Sequence, residues 1–220
     1  MRHVILLLLC AVLAPATFAH PIDADKQVQP VAQQERAGRV PDRCLPAGFP
    51  QVWDKTIRRA WLKHGKAEWA PRVCGFRAQI CLESSCGARG EDVRSHKDAV
   101  GPGQLLKTAA ADCKGAGLIG KRVDVKFNLM CSAWVMKRNG RIFSSNRTEE
   151  CRIPIARGCY VTGCGHLIRA QKLARADGHS AVCLDDGMLE YTKKVLSPSS
   201  YKALVHYVET IAKYEEEMTP

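Results

Sequence analysis

The residues best suited to chemistry in this 220-residue chain are a carboxylate and an amide, each set in a short frame. Glu83 and Ser84 close an apolar, helix-like segment that runs from Cys74 to Ser85 and contains Phe76, Ile80 and Leu82. Downstream, Gly101-Pro102-Gly103-Gln104 opens a Leu- and Ala-rich stretch that reads as a helix to Cys113. Glycosidic cleavage needs a proton for the departing oxygen and something to stabilise positive charge on the sugar ring. A lone acid at a helix end, followed by a glycine-flanked glutamine, is a workable arrangement for it. Apolar residues ahead of Glu83 would raise its pKa, so that it holds a proton near neutral pH. Gly101 and Gly103 would let backbone approach a sugar closely. The bland alternatives are a glutamate that merely caps or salt-bridges a surface turn, and glycines that merely make one.

In order, type and spacing these residues resemble the soluble lytic transglycosylase family of lysozyme-like enzymes. The family's acid-serine pair, following serine, Gly-Ala-x-Gly-x-x-Gln turn and Thr-Ala read here as Glu83-Ser84, Ser95, Gly101 to Gln104, and Thr108-Ala109. Ala156-x-x-Cys159-Tyr160-x-x-Gly163-x-Gly165 resembles a later family segment, and Tyr207-Val208 resembles its closing Tyr-Val motif. The resemblance implies a peptidoglycan enzyme that cuts the MurNAc-GlcNAc β-1,4 bond and leaves a 1,6-anhydro-muramic end. One glutamic acid, Glu83, would protonate the leaving oxygen and then act as base while the sugar's C6 hydroxyl closes the ring. The acetamido group would serve as the internal nucleophile. Ser84 would hydrogen-bond near the scissile sugar, and Gln104 and Gly103 would contact substrate beside the acid. Tyr160 would line the cleft and Tyr207 would hydrogen-bond close to the acid; for both, core packing with a satisfied hydroxyl is the alternative. Asn128 matches an asparagine at the start of an intermediate helix, where a structural role is expected. No metal or organic cofactor is implied.

The sequence also departs from the family. Val161 stands where asparagine is usual, Pro102 replaces an apolar residue, and the Gly87 to Arg94 loop is enlarged. The likeness runs from about Trp53 to Tyr214, strongest at the short motifs. A true lysozyme, which hydrolyses the same bond, would need a second acid or a positioned water, for which Asp92 and Asp98 stand in the loop. An inactive wall-binding or assembly module on the same fold is the third reading.

The elements that must position these residues read as mostly helical with a little sheet, an α+β, lysozyme-like single domain. Val52, Ile57, Ala60 and Trp61 recur at helical spacing in the stretch from Val52 to Trp69. Phe127 to Met136 forms another helix, ended by Asn139-Gly140, and Arg141 to Arg152 reads as a turn or short hairpin. Pro154 opens a helix to about Asp177, interrupted near Gly163-Cys164-Gly165. Ser199 or Ser200 caps a last helix whose Leu204, Val205, Val208, Ile211 and Ala212 share a face.

The N-terminus reads as an export signal at 1–19. Met1-Arg2-His3 is a basic head, Val4 to Leu13 an apolar run too short to stay in a bilayer, and Thr17-Phe18-Ala19 a cleavage site. Leu9 argues against lipidation at Cys10. Residues 20–43 read as a flexible leader with Pro21, Pro30 and Pro41, and 44–220 as the transglycosylase-like domain. Without Cys10 the chain keeps ten cysteines: Cys44, Cys74, Cys81, Cys86, Cys113, Cys131, Cys151, Cys159, Cys164 and Cys183. An even set in an exported chain reads as a disulfide framework of open connectivity. The zinc alternative fails because no Cys-x-x-Cys pair exists, and Cys159, Cys164 and His166 alone do not make a site. The net charge of +11, about +10 without the signal, favours an anionic partner. The export signal and the lack of a basic-aromatic recognition motif disfavour nucleic acid. The expected partners are peptidoglycan glycan strands, with a secretion, conjugation or pilus apparatus as a setting, in the periplasm or outside the cell and without stable membrane insertion.

Overall fold

The computed structural model describes residues 49–64, 72–143, 147–184 and 186–218. The expected signal peptide and leader, Cys44 and the end of the first expected helix near Trp69 lie outside them.

The described residues form eight helices, in order α1 Gln51–His64, α2 Val73–Ser84, α3 Lys107–Gly115, α4 Val125–Ile142, α5 Glu149–Thr162, α6 Cys164–Ala176, α7 Asp186–Val195 and α8 Pro198–Met218. In α1 the residues Trp53, Ile57, Ala60 and Trp61 are buried, as their spacing dictates. Trp61 stacks on Phe76 of α2 at 4.7 Å between ring centroids. Helix α2 runs through the middle of the molecule, with Val73, Phe76, Ala78 and Ile80 fully buried. It packs between α1 and α8, while α4 lies against α1, α3 and α5. The main core joins Trp53, Ile57, Trp61, Phe76, Ile80, Leu129, Met136 and Ile153. Burying each such side chain is worth roughly 1.5–3 kcal/mol, which makes α2 the rigid post on which Glu83 stands.

Two buried cations brace that post. Arg77 is wholly buried, and its Nε donates to Asp54 Oδ1 of α1 at 2.6 Å. Arg157 of α5 makes a two-pronged contact with Glu215 of α8, at 3.0 and 2.6 Å. Gly75 leaves room for that pair, since a Cβ there would collide with both Arg157 and Glu215. Fork-to-carboxylate geometry is the arrangement in which a buried arginine is tolerated.

The mostly helical expectation holds, and the sheet component is smaller than expected. Among the described residues there is no strand, and the loop between α2 and α3 carries only two isolated antiparallel bridges, Arg94 with Val100 and Val100 with Leu105. Four helix boundaries also differ. Helix α3 begins at Lys107 rather than Gln104, because Gln104 adopts φ +46° and Leu105 pairs its backbone with Val100. Helix α4 continues through Asn139-Gly140, both buried, so the glycine there is a packing contact and not a stop. Helix α5 begins at Glu149, leaving Pro154 inside at the cost of one ladder hydrogen bond. The last helix starts at Pro198 and is capped by Ser197, whose Oγ accepts from the Ser200 N–H at 3.2 Å.

Cysteine pairing is local as well as long-range: Cys81 with Cys86, Cys113 with Cys131, Cys151 with Cys183, and Cys159 with Cys164. Cys74 is disulfide-bonded too. No described helix is long and apolar enough to cross a membrane.

Candidate active site

Glu83 occupies the last turn of α2, where the chain leaves the helix through Ser85 at φ +54° and ψ +48°. Glu83 as a residue is half-buried, and enough protein surrounds its carboxyl for burial to push its pKa up to about 7. Opposing that push, the Tyr207 hydroxyl donates to Glu83 Oε1 at 2.8 Å. A carboxyl poised near neutrality is present in comparable amounts as acid and as base, which is what a group that first gives and then takes a proton requires.

Tyr207 comes from α8, 124 positions along the chain, and is buried. Its hydroxyl is held protonated well above the usual tyrosine range, first by burial and then by the charges of Glu83 and Tyr160. Tyr160, on α5, is raised too, by burial first and then by Glu83. Both phenols therefore stay neutral donors wherever Glu83 titrates. Behind Tyr207 lies an apolar wall of Ala78, Leu82, Val161, Ile211 and Tyr214. Val161, the departure from the family pattern, thus packs with Tyr207.

Gly103 and Gln104 form the turn that meets α4. The Gly103 N–H donates to Asn128 Oδ1 at 2.7 Å, and its carbonyl accepts from the Tyr160 hydroxyl at 2.5 Å. Ser132 Oγ lies 3.0 Å from the same hydroxyl. A Cβ on Gly103 would collide with Ser132 Oγ, and one on Gly101, at φ +77°, would come 2.5 Å from Asn128 Nδ2. Both glycines are therefore required by close approach to α4. Gln104 Nε2 donates back to the carbonyls of Gly101 at 2.9 Å and Val93 at 3.2 Å, so its amide nitrogen closes the turn while the side chain stays half-exposed.

The remaining sequence candidates serve the frame. Ser84 is fully buried; its hydroxyl donates to the Ile80 carbonyl at 2.8 Å and accepts from the Gly87 N–H at 3.0 Å, locking the turn after Glu83. Ser95 Oγ accepts from the N–H groups of Lys97 and Ala99. Asp98 is gripped by Arg94, Lys107 and Arg122, and the Arg122 hydrogen bond foremost holds its carboxyl below the ordinary range. It anchors the loop. Asp92 is exposed.

Sequence reasoning missed Ser132 and the Arg157–Glu215 pair. Ser132 could have been found from Asn128, four residues earlier on the same helix face; its Oγ donates to the Asn128 carbonyl at 2.9 Å. Nothing local marks Arg157, whose partner lies 58 positions away. A separate groove of about 590 Å³ is lined by Lys63, His64, Leu118, Ile119, Phe127 and Met130 among others, and by none of the candidate site residues. Among the described residues no cluster of three metal-ligating side chains occurs.

No family model matches the chain, and no curated protein matches it.

Proposed function

We propose that this protein is a lytic transglycosylase with a lysozyme-like fold, acting on the glycan strands of peptidoglycan after export. The observation that carries the reading is the Glu83 carboxyl, poised at about 7 and held at 2.8 Å by the Tyr207 hydroxyl. Its charge is felt by Tyr160, which bonds the glycine turn. In its protonated form Glu83 gives its proton to the glycosidic oxygen as the bond to C1 breaks. The substrate's acetamido oxygen closes on C1, and the resulting carboxylate takes the proton of the C6 hydroxyl as that oxygen displaces it. One carboxyl suffices, and no water enters. Asp98, tied to three cations, is poorly placed to supply the second acid of a hydrolase.

Digestion of purified sacculi with mass spectrometry of the released muropeptides tests this reading. Anhydro-muramic ends are expected. Reducing ends would make the enzyme a hydrolase, and binding without release would make it a wall-binding module. A secretion, conjugation or pilus apparatus, where the wall must be opened locally, is a setting that suits a single exported domain.

Tyr207→Phe gives a graded test. Loss of a hydrogen bond to a charged acceptor is worth about 1.5–3 kcal/mol, so cleavage should fall roughly 10- to 100-fold. The missing donor also destabilises the carboxylate, so Glu83 should titrate above about 7. The alkaline limb of the pH–rate profile should move upward with it, because a group acting first as acid fails once it has lost its proton. An unchanged limb would mean that Tyr207 does not touch the working acid.

A further inference from the structure

We propose that two short disulfides, Cys81–Cys86 and Cys159–Cys164, arm the site by fixing Glu83 and Tyr160, and that their reduction disarms it while the rest of the fold stands. The inference rests on the transglycosylase reading only for its activity readout.

Each bond joins residues five apart. The first encloses Leu82, Glu83, Ser84 and Ser85, and the second encloses Tyr160, Val161, Thr162 and Gly163. The first therefore binds the C-terminal end of α2 to the turn that leaves it, and the second binds the C-terminal end of α5 to the first residue of α6, each where the helix carries a site residue. The turn after Glu83 needs holding. Ser85 and Cys86 take φ +54° and +53° in succession, a left-handed conformation that side-chain-bearing residues disfavour. The Cys86 N–H donates to the Cys81 carbonyl at 2.7 Å, so the covalent bond and the hydrogen bond close the same ring. After the second helix, Gly163 at φ +85° breaks the path between α5 and α6.

Such small rings are poor devices for global stability, because the unfolded-state entropy a cross-link removes grows with the logarithm of the ring size. Cys151–Cys183, spanning 32 positions, is better suited to that role. Exposure divides the set as well. Cys113 and Cys131 are completely buried, whereas Cys86 and Cys164 are half-buried at the surface, as is Cys183 of the long-range bond. A thiol reductant reaches the two site clamps before it reaches the Cys113–Cys131 bond.

Arming is a two-electron exchange with a disulfide oxidant, either a small molecule or an exported oxidoreductase. One cysteine thiolate attacks the oxidant disulfide, forming a mixed disulfide and expelling one thiol. Its partner's thiolate then attacks the mixed disulfide, closing the clamp and expelling the second thiol. The oxidant takes up two electrons and the two cysteine protons, and excess reductant runs the exchange backward. A chain held in a reducing compartment would therefore fold around α2 without a working acid.

The test uses the oxidised full chain and graded dithiothreitol, with alkylation and mass spectrometry to map opened cysteines. Glu83 is followed by carbon NMR of its carboxyl, and helix content by circular dichroism. Once Cys81, Cys86, Cys159 and Cys164 are alkylated, Glu83 should titrate near the ordinary glutamate value instead of about 7. Muropeptide release should fall at least about tenfold, helix content should persist, and oxidised glutathione should restore unalkylated samples. The paired variants C81A/C86A and C151A/C183A provide a check without reductant: the first should lose the raised titration at little cost in thermal midpoint, and the second the reverse. An unchanged Glu83 titration with both clamps open overturns the proposal. So does collapse of the helical signal at the same reductant concentration, since the bonds would then be holding the whole fold. If the oxidised protein releases nothing from sacculi, the transglycosylase reading fails, and the NMR titration still decides whether the clamps set Glu83.

Discussion

Replacing Glu83 by glutamine should reduce muropeptide release from sacculi by roughly 10²- to 10⁴-fold, the contribution typical of a positioned general acid–base group. Glutamine keeps the size of the side chain and can still accept from the Tyr207 hydroxyl, so binding to sacculi should survive. That combination separates an enzyme from a wall-binding module. The same variant should gain stability in a pH-dependent way. Glu83 has its pKa raised in the folded state, so between the ordinary glutamate value and about 7 the native protein binds more protons than the unfolded chain. Stability of the wild type therefore falls as pH rises through that window and levels off above it. The full effect, at most about 3 kcal/mol, is absent in glutamine. Urea unfolding at pH 4 and pH 8 measures it: the two proteins should differ little at the lower pH, and the variant should be the more stable at the higher. Equal stability at both values would mean that the carboxyl is not held away from water.

How much of this was legible beforehand depends on the range of the interactions. Helix α1 could be read because Trp53, Ile57, Ala60 and Trp61 fall on one stripe, and α2 because Phe76, Ile80 and Leu82 recur among its cysteines. Helix α7 carried a comparable stripe, with Met188, Tyr191 and Thr192 buried at helical spacing, but it is only ten residues long and was not read. The start of α5 was obscured by the polar run Glu149-Glu150-Cys151-Arg152 and by Pro154, which reads as a first-turn residue although it lies deeper. At the site, Glu83 and the glycine turn stood out because acid, small residues and amide are chemically unusual in that order. That Glu83 meets Tyr207 was suggested only by family likeness, since no local pattern links residues 124 positions apart. The Arg157–Glu215 pair beneath α2 and the Ser132 contact were invisible for the same reason. The bridges around Val100 were missed because the loop's order comes from the side chains of Asn128 and Arg122 more than from its own residues.

That dependence predicts the second large effect. Asn128→Ala should destabilise the protein by about 2–5 kcal/mol, because it takes the side-chain partner from three backbone groups. Two of them lose roughly 1–3 kcal/mol each, while the Val100 carbonyl keeps the Leu105 N–H and loses less. The groups are the Val100 carbonyl at 2.7 Å, the Arg122 carbonyl at 2.9 Å and the Gly103 N–H at 2.7 Å. Urea unfolding should show a lower midpoint with an unchanged slope. Asn128→Asp should do at least as much damage at neutral pH, although it conserves shape. Its carboxylate can still accept from Gly103, but the other oxygen then faces two carbonyls where the amide donated. The introduced carboxyl would have a raised folded-state pKa, so lowering the pH should restore part of the loss, opposite in sign to a surface aspartate paired with a cation. The consequence for the site follows from Gly103, whose carbonyl receives the Tyr160 hydroxyl at 2.5 Å. Once the turn is freed from α4, the Tyr160 hydroxyl loses its Gly103 acceptor, and the position of Tyr160 loosens even in molecules that remain folded. Cleavage per folded molecule should therefore drop as well, measured below the shifted midpoint. Full activity there would mean that the glycine turn forms no part of the cleft.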